Sequence, residues 1–338
     1  MSKQASYSFN NVRYYVDIDQ EKRSIYFKIE NPEKTITPKY LYKYYSFNQF
    51  SIDALVRNYF FASHPMMLND KYDCSGDLID YSKLDIWFYL NFLANELHLF
   101  SHEKVKELFH SDNKWILERT VADLNQTRLF MKFGILSFTE NEKDVLMWAY
   151  YSQNSGFVLK LDTSLLPKNL FGPFPINYVD HFEKIDISNY GPELSILYQT
   201  NVKQELWRRE DEWRYLSYNE NGKFHPFYWK FDLFSRNVYY NLKAVKEIIL
   251  GYDFFNPTEI DFNQRTQEYD VINFNSKFAK KNKKLKKKLL NYIISNDISC
   301  KQIVRHRYKY LLDAKDVPVE RISPNRFKVY NIFKQVEA

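Results

Sequence analysis

Six short runs dense in aromatic and β-branched residues punctuate the chain, at 40–45, 59–63, 134–139, 157–161, 212–218 and 245–251. Such residues fit a pleated, half-buried surface, and clusters of Gly, Pro, Asn and Asp bound the runs, so each predicts a strand. Between the second and third runs the period changes. Trp87, Leu90, Ala94 and Leu97 recur at helical spacing, Val105, Leu108 and Phe109 follow a Ser101 cap, and Ile116, Thr120, Val121 and Leu124 carry a third helix. Strands gathered around one block of helices predict an α+β fold with a helical insertion at about residues 82–133.

The remaining segments complete the map. Residues 1–39 read as an N-terminal extension holding a small hairpin, in which Tyr14, Val16 and Ile18 alternate and 24–29 returns. Residues 163–200, with Pro167, Gly172, Pro173, Pro175, Gly191 and Pro192, read mostly as loop, ending in a helix at Glu193–Leu206. Asn219-Glu220-Asn221-Gly222 is a turn signal of the hairpin kind. Closing strands are predicted at 304–310 and 327–332. No repeat and no linker divides the chain, so residues 40–334 form a single domain.

Absent patterns exclude several chemistries. Only 7 glycines occur, and none falls in GxGxxG or GxxxxGK[ST], which removes the dinucleotide-fold and P-loop phosphate cradles. GxSxG and HExxH are missing as well. Cys74 and Cys300 are the sole cysteines, with no CxxC, so neither a disulfide framework nor a zinc site is expected, and no metal ligands are assigned. The N-terminus lacks the apolar core of a signal peptide, and no apolar run approaches the roughly 20 residues of a membrane span. A soluble, cytoplasmic protein without a membrane partner is expected; the oligomeric state is left open.

Charge is unevenly spread. Residues 276–310 hold twelve Lys or Arg against one Asp, a balance of +11, so with a net charge of +6 the rest of the chain carries about −5. The Lys-rich run keeps an apolar stripe at Phe278, Leu285, Leu289 and Ile293, which predicts a docked basic helix at about 276–295. Its Lys280, Lys281, Lys284 and Lys288 would meet nucleic-acid phosphates, with Tyr292, Tyr308 and Tyr310 stacking bases, unless the face merely solubilises.

The stretch Trp207-Arg208-Arg209-Glu210-Asp211-Glu212-Trp213-Arg214-Tyr215-Leu216 carries the chemistry most worth locating. As a strand it puts Glu210, Glu212, Arg214 and Leu216 on one face and Trp213 and Tyr215 on the other. Charges on one strand face either look out to water or line a polar cleft.

Four segments, taken in order, resemble a bacterial family known as domain of unknown function 2971. They are Leu41-Tyr42-Lys43-Tyr44, then Phe60 to Pro65 with Leu68 to Asp73, then 134–139 with Met147 to Tyr151 and 156–159, and finally Trp207 to Arg214 with Glu247 to Gly251. The match spans roughly 40–330. It departs at Lys71, where the family commonly has proline. More distantly, an aromatic strand, a Ser-bearing strand and a late strand with a glutamate are similar to NAD-dependent ADP-ribosyltransferases. That resemblance implies split small β-sheets gripping NAD as substrate, without a metal. It implies Glu212 as the catalytic residue, Glu210 as the second acid of an ExE pair, Tyr42, Lys43 and Tyr44 as first-strand contacts, and Ser63 and Tyr72 nearby. Asn69, Asp70, Trp148, Tyr151 and Arg214 complete the expected NAD-binding set. Asp70 is expected to pair with Arg214, because a buried carboxylate needs a partner, and Trp148 to wall the same cleft.

The implied activity is an ADP-ribosyltransferase-like effector of antiphage defence or a toxin system, modifying nucleic acid or protein. The alternatives are a nucleic-acid-binding or nuclease-like protein without NAD chemistry, and a non-enzymatic sensor.

Overall fold

A computed structural model describes residues 2–19, 21, 24–219, 236–255, 259–261, 269–274, 282–306, 309 and 311–330. The fold is mixed α and β. Its largest sheet has eight strands in the order Leu312–Asp316, Ser299–Arg305, Val245–Leu250, Phe157–Asp162, Tyr40–Tyr45, Phe133–Thr139, Glu212–Tyr218, Leu170–Pro175. Neighbours run antiparallel except Val245–Leu250 and Ser299–Arg305, which are parallel.

The sheet is weakly joined at its middle. Tyr40–Tyr45 pairs along its whole length with Phe157–Asp162, but meets Phe133–Thr139 only through Tyr42 and Thr139. Five strands on one side and three on the other therefore diverge from one residue pair, and the wedge between them needs side chains to fill it. The eight strands remain one sheet, and several small sheets of two or three strands accompany it.

The helical block comprises Ile86–Tyr89, a wider-wound continuation Leu90–Glu96, His102–Phe109 and Lys114–Lys132. Ser101 caps the third of these by accepting from the Lys104 amide. The last helix runs directly into the Phe133–Thr139 strand, so the insertion is fused to the sheet without a loop.

The Pro- and Gly-rich region is more ordered than its composition predicts. A helix spans Ile187–Gln199, capped by Asp186 and kinked at Gly191, whose φ of 75° lies where glycine is favoured. It ends seven residues before the expected stop at 206, and Thr200 and Asn201 turn the chain into a short strand, Val202–Gln204. The expected hairpin is present as Val12–Asp19 against Ser24–Glu30, and a third antiparallel strand, Ser2–Phe9, pairs with its first arm. They share a core with the helical block and the 187–199 helix. The other main core packs Leu41, Phe60, Phe138, Trp213 and Tyr215 beneath the opposite face of the large sheet. Closing strands lie at Leu312–Asp316, Val319–Ser323 and Arg326–Tyr330. The 219–222 turn falls largely outside the described residues.

No helix among the described residues is long and apolar enough to cross a membrane.

Candidate functional site

The wedge between the two halves of the sheet holds a cavity of about 240 Å³. Tyr42, Lys43 and Tyr44 line it from one half, and Ser137, Glu212 and Arg214 from the other. Alternation along the Glu212–Tyr218 strand sends Trp213 and Tyr215 into one core, while Glu212 and Arg214 take the cavity face and Leu216 packs into the other core.

Glu210 reaches the cavity by another route. It ends a 3-10 segment, Glu205–Glu210, and Asp211, at φ 49°, turns the chain into the strand. The expected shared strand face thus holds for Glu212, Arg214 and Leu216 but not for Glu210. Both carboxylates nonetheless meet at one ammonium: Lys203 Nζ lies 2.5 Å from Glu210 Oε2 and 2.9 Å from Glu212 Oε2. Arg214 donates to Glu212 Oε1 from Nε at 3.0 Å and from a terminal nitrogen at 2.8 Å. Its far edge grips Asp73 through two bonds of 2.9 and 2.8 Å and donates to the Thr200 carbonyl at 2.7 Å. Such a forked, planar grip is specific to arginine.

These neighbours push the two acids apart. Burial alone would raise the Glu212 carboxyl, but Arg214 and Lys203 hold it down at about 2. Glu210 is raised by burial, only partly offset by Lys203. Tyr151 donates its hydroxyl to Glu210 and accepts from Asn69 Nδ2 at 2.7 Å; burial first, then Glu210, pushes its pKa well above that of an ordinary phenol, so it stays protonated. Two carboxylates of divergent proton affinity are the usual basis for dividing electrostatic from acid–base work.

Lys43 bridges the split. Its ammonium donates to the Ser137 carbonyl at 3.0 Å, across the gap where strand pairing has lapsed, and sits 5.0 Å from the Phe138 ring centroid. Burial lowers it to about 8, with Glu212 opposing. It forms no ion pair among the described residues, whereas Lys203 and Arg214 are both committed to carboxylates.

Of the residues expected from sequence, Tyr42, Lys43, Tyr44, Ser63, Asn69, Tyr151, Glu210, Glu212 and Arg214 border this cavity. Three do not. Trp148 is 1% exposed, donates its indole N–H to the Glu142 carbonyl at 2.8 Å, and packs against Tyr44 in a small core instead of walling the cleft. Tyr72 is 57% exposed and lines a separate hollow. Asp70 faces a neighbouring groove, and Arg214 takes Asp73, three residues along the same loop, as its partner. The loop places Asp73 within reach because Asp70 turns back to accept the Tyr72 amide at 2.9 Å.

Sequence reasoning missed Lys203 and Asp73. Arg208 and Arg209, the nearest cations in the chain, spend their charge at the surface on Glu205 and Glu33 and on Asp144. Lys203 sits between buried Val202 and the turn to Glu205, and a demand for one more cation beside two buried acids was the only available signal.

The basic helix spans Lys283–Ser295. Lys286 pairs with Glu259 at 2.7 Å, Lys288 with Asp53 at 2.5 Å, and Lys287 bonds Asn325, so much of its charge holds the helix in place. Lys284 is exposed; Lys280, Lys281, Tyr308 and Tyr310 lie outside the described residues. Tyr292 is buried and donates to Asn58 at 2.6 Å, which removes it from the expected stacking surface.

No family model, curated protein or solved structure matches the chain. The chemistry of the cavity is therefore read from its own residues.

Proposed function

We propose that the cavity is the reaction site of an ADP-ribosyltransferase-like enzyme that uses NAD as substrate. The observation that carries this reading is the convergence of Tyr42, Ser63 and Glu212, from three separate strands or strand ends, on one small polar cavity. At about 240 Å³ it is smaller than the roughly 300–1,000 Å³ that encloses a whole drug-sized ligand, so it suits the nicotinamide and its ribose, with the rest of the dinucleotide extending outward.

In the proposed reaction the bond between ribose C1′ and the nicotinamide nitrogen breaks, and its electron pair leaves with nicotinamide. Glu212, held as a permanent anion, stabilises the positive charge left on the ribose. Its oxygens already accept from Arg214 and Lys203, and the Ser137 hydroxyl holds it further, in the position a ribose hydroxyl would claim. An acceptor nucleophile then attacks C1′ and gives its proton to Glu210, whose raised affinity suits a base. Lys43, which forms no ion pair among the described residues, would meet the pyrophosphate.

The test is NAD loss and label transfer in cell extract, for the wild-type chain beside Glu212→Gln and Ser63→Ala. Removing Glu212 is expected to cost about 10²–10³-fold in rate. Ser63→Ala keeps the test decisive if Glu212→Gln does not fold, because Ser63 pairs with Ile135 through backbone atoms alone. It is expected to slow transfer several-fold. An inactive wild-type chain, or equal rates in all three, defeats the proposal.

A further inference from the structure

Along Tyr40–Tyr45 the side chains alternate: Leu41 and Tyr45 pack toward the main core, Tyr42 and Tyr44 toward the small one around Trp148. Lys43 falls on the Leu41 side, a core-facing position where an ammonium is unusual. It is tolerated because the Phe133–Thr139 strand meets Tyr40–Tyr45 only through Tyr42 and Thr139, which leaves the cavity beside Lys43. The ammonium makes one hydrogen bond among the described residues, to the Ser137 carbonyl, and lies 5.0 and 5.8 Å from the Phe138 and Tyr45 ring centroids. An ammonium has three donors, so two remain uncommitted.

Glu212 attracts this charge from beyond ion-pair distance, and burial outweighs the attraction. At a pKa of about 8, about one molecule in ten carries the neutral amine at pH 7, where an ordinary lysine at 10.5 offers about one in three thousand. Desolvation of this kind is how a lysine becomes a nucleophile. The rest of the cavity suits an uncharged guest. Glu210, Glu212 and Asp73 are balanced there by Lys203, Arg214 and Lys43 itself, and Met67, Leu68 and Met147 supply apolar wall. Glu210, whose affinity for a proton is raised by burial, lines the same space.

We propose that Lys43 is a nucleophilic amine that binds a small uncharged aldehyde in this cavity as an imine. The lone pair of the neutral amine attacks the carbonyl carbon, and the C=O π pair moves onto oxygen. One proton passes from nitrogen to that oxygen, giving a carbinolamine. Protonated Glu210 then gives its proton to the hydroxyl, which leaves as water while the nitrogen lone pair closes the C=N bond. The N–H proton of the resulting iminium returns to Glu210. Amine and aldehyde thus become imine and water, with no oxidant or reductant consumed. The inference goes beyond the NAD reaction: it needs no dinucleotide, and the protonated majority of Lys43 stays available to a pyrophosphate.

The test is rapid borohydride quenching of the full chain mixed with propanal at pH 7, without NAD, so that its failure is separable from a failure of NAD chemistry. Borohydride fixes each imine as a propylamine, and peptide mass spectrometry reads its position. Lys284, exposed on the basic helix, is the internal reference. Lys43 is expected to be trapped at least about tenfold faster than Lys284, to saturate with propanal, and to gain rate with a midpoint near pH 8. Glu210→Gln is expected to lower the saturated rate at least about tenfold. The comparison within the wild-type chain decides the outcome whether or not that variant folds. Trapping at Lys43 no faster than at Lys284, or a rate that rises linearly with propanal without saturating, overturns the proposal. A folded Glu210→Gln of unchanged rate overturns the assignment of Glu210 as the acid.

Discussion

At the residue scale, Glu212 shows what two cations do to one acid. Its carboxyl falls from an ordinary 4.5 to about 2 because Arg214 and Lys203 outweigh the effect of burial. A group depressed in the folded state stabilises the fold above its unfolded value and ceases to do so as pH falls through the folded one. Glu212→Gln is therefore expected to cost about 3–5 kcal/mol at neutral pH, the range for removing one member of a buried ion pair. The difference from wild type should narrow only between about pH 4.5 and pH 2, measured by urea unfolding at a series of pH values. A gap that closes near pH 6, or no gap at pH 7, would show that the network does not hold Glu212 ionised.

At the scale of elements, the wedge depends on how closely two strands begin. Gly156 precedes the Phe157–Asp162 strand, and a Cβ built on it would lie 2.0 Å from the Tyr45 carbonyl oxygen and 2.9 Å from the Ser152 Cβ. Backbone cannot yield as a flexible side chain does. Gly156→Ala is expected to destabilise by about 3 kcal/mol, the upper part of the overpacking range. It should also disturb the register that sets Lys43 opposite Leu159. A change in urea midpoint corresponding to under about 0.5 kcal/mol, the ordinary scatter of surface substitutions, would refute the close approach.

Strands and helices of this kind were legible because their period is local. Tyr40–Tyr45, the helical block and Glu212–Tyr218 all declare themselves within a few residues. Glu210 was misplaced because its position depends on the left-handed turn at Asp211, and aspartate signals that conformation far less strongly than glycine would. Lys203 and Asp73 were illegible for another reason. Asp73 joins the site through Arg214, 141 residues away, while Lys203 lies only seven and nine residues from Glu210 and Glu212 but reaches them through the fold of the intervening 3-10 segment, which no period announces. Alternation predicts which side of a strand faces a cavity, but not which loop folds over it. Trp148 points the same way: helical position alone did not distinguish the small core it fills from the cleft next to it.

At the scale of the whole molecule, residues 2–30 are built into the fold. Val12, Tyr14, Val16 and Phe27 are buried in the core that also holds Leu197 and Tyr198. Asn177, which bonds the Tyr14 hydroxyl at 2.9 Å, adjoins Tyr178, and the Tyr178 hydroxyl accepts the Glu212 amide at 2.9 Å. Burying a side chain of this size contributes about 1.5–3 kcal/mol. A chain beginning at residue 31 is accordingly expected to lose at least about 5 kcal/mol of stability and to unfold at clearly lower denaturant. An unchanged midpoint would mean that the three strands are an appendage.

Arg214 has a bearing beyond the charges it balances. One guanidinium holds Glu212 on the sheet and Asp73 on the loop, and Asp73 borders both the small cavity and the neighbouring groove that Asp70 faces. The two compartments thus share part of a wall, formed by Leu68 and Asp73. Whatever free energy an occupant of the groove adds to or subtracts from binding in the cavity, an occupant of the cavity must return to the groove in the same amount. Any coupling between them has one magnitude, read equally well from either side, and Arg214 is a side chain at which to look for it.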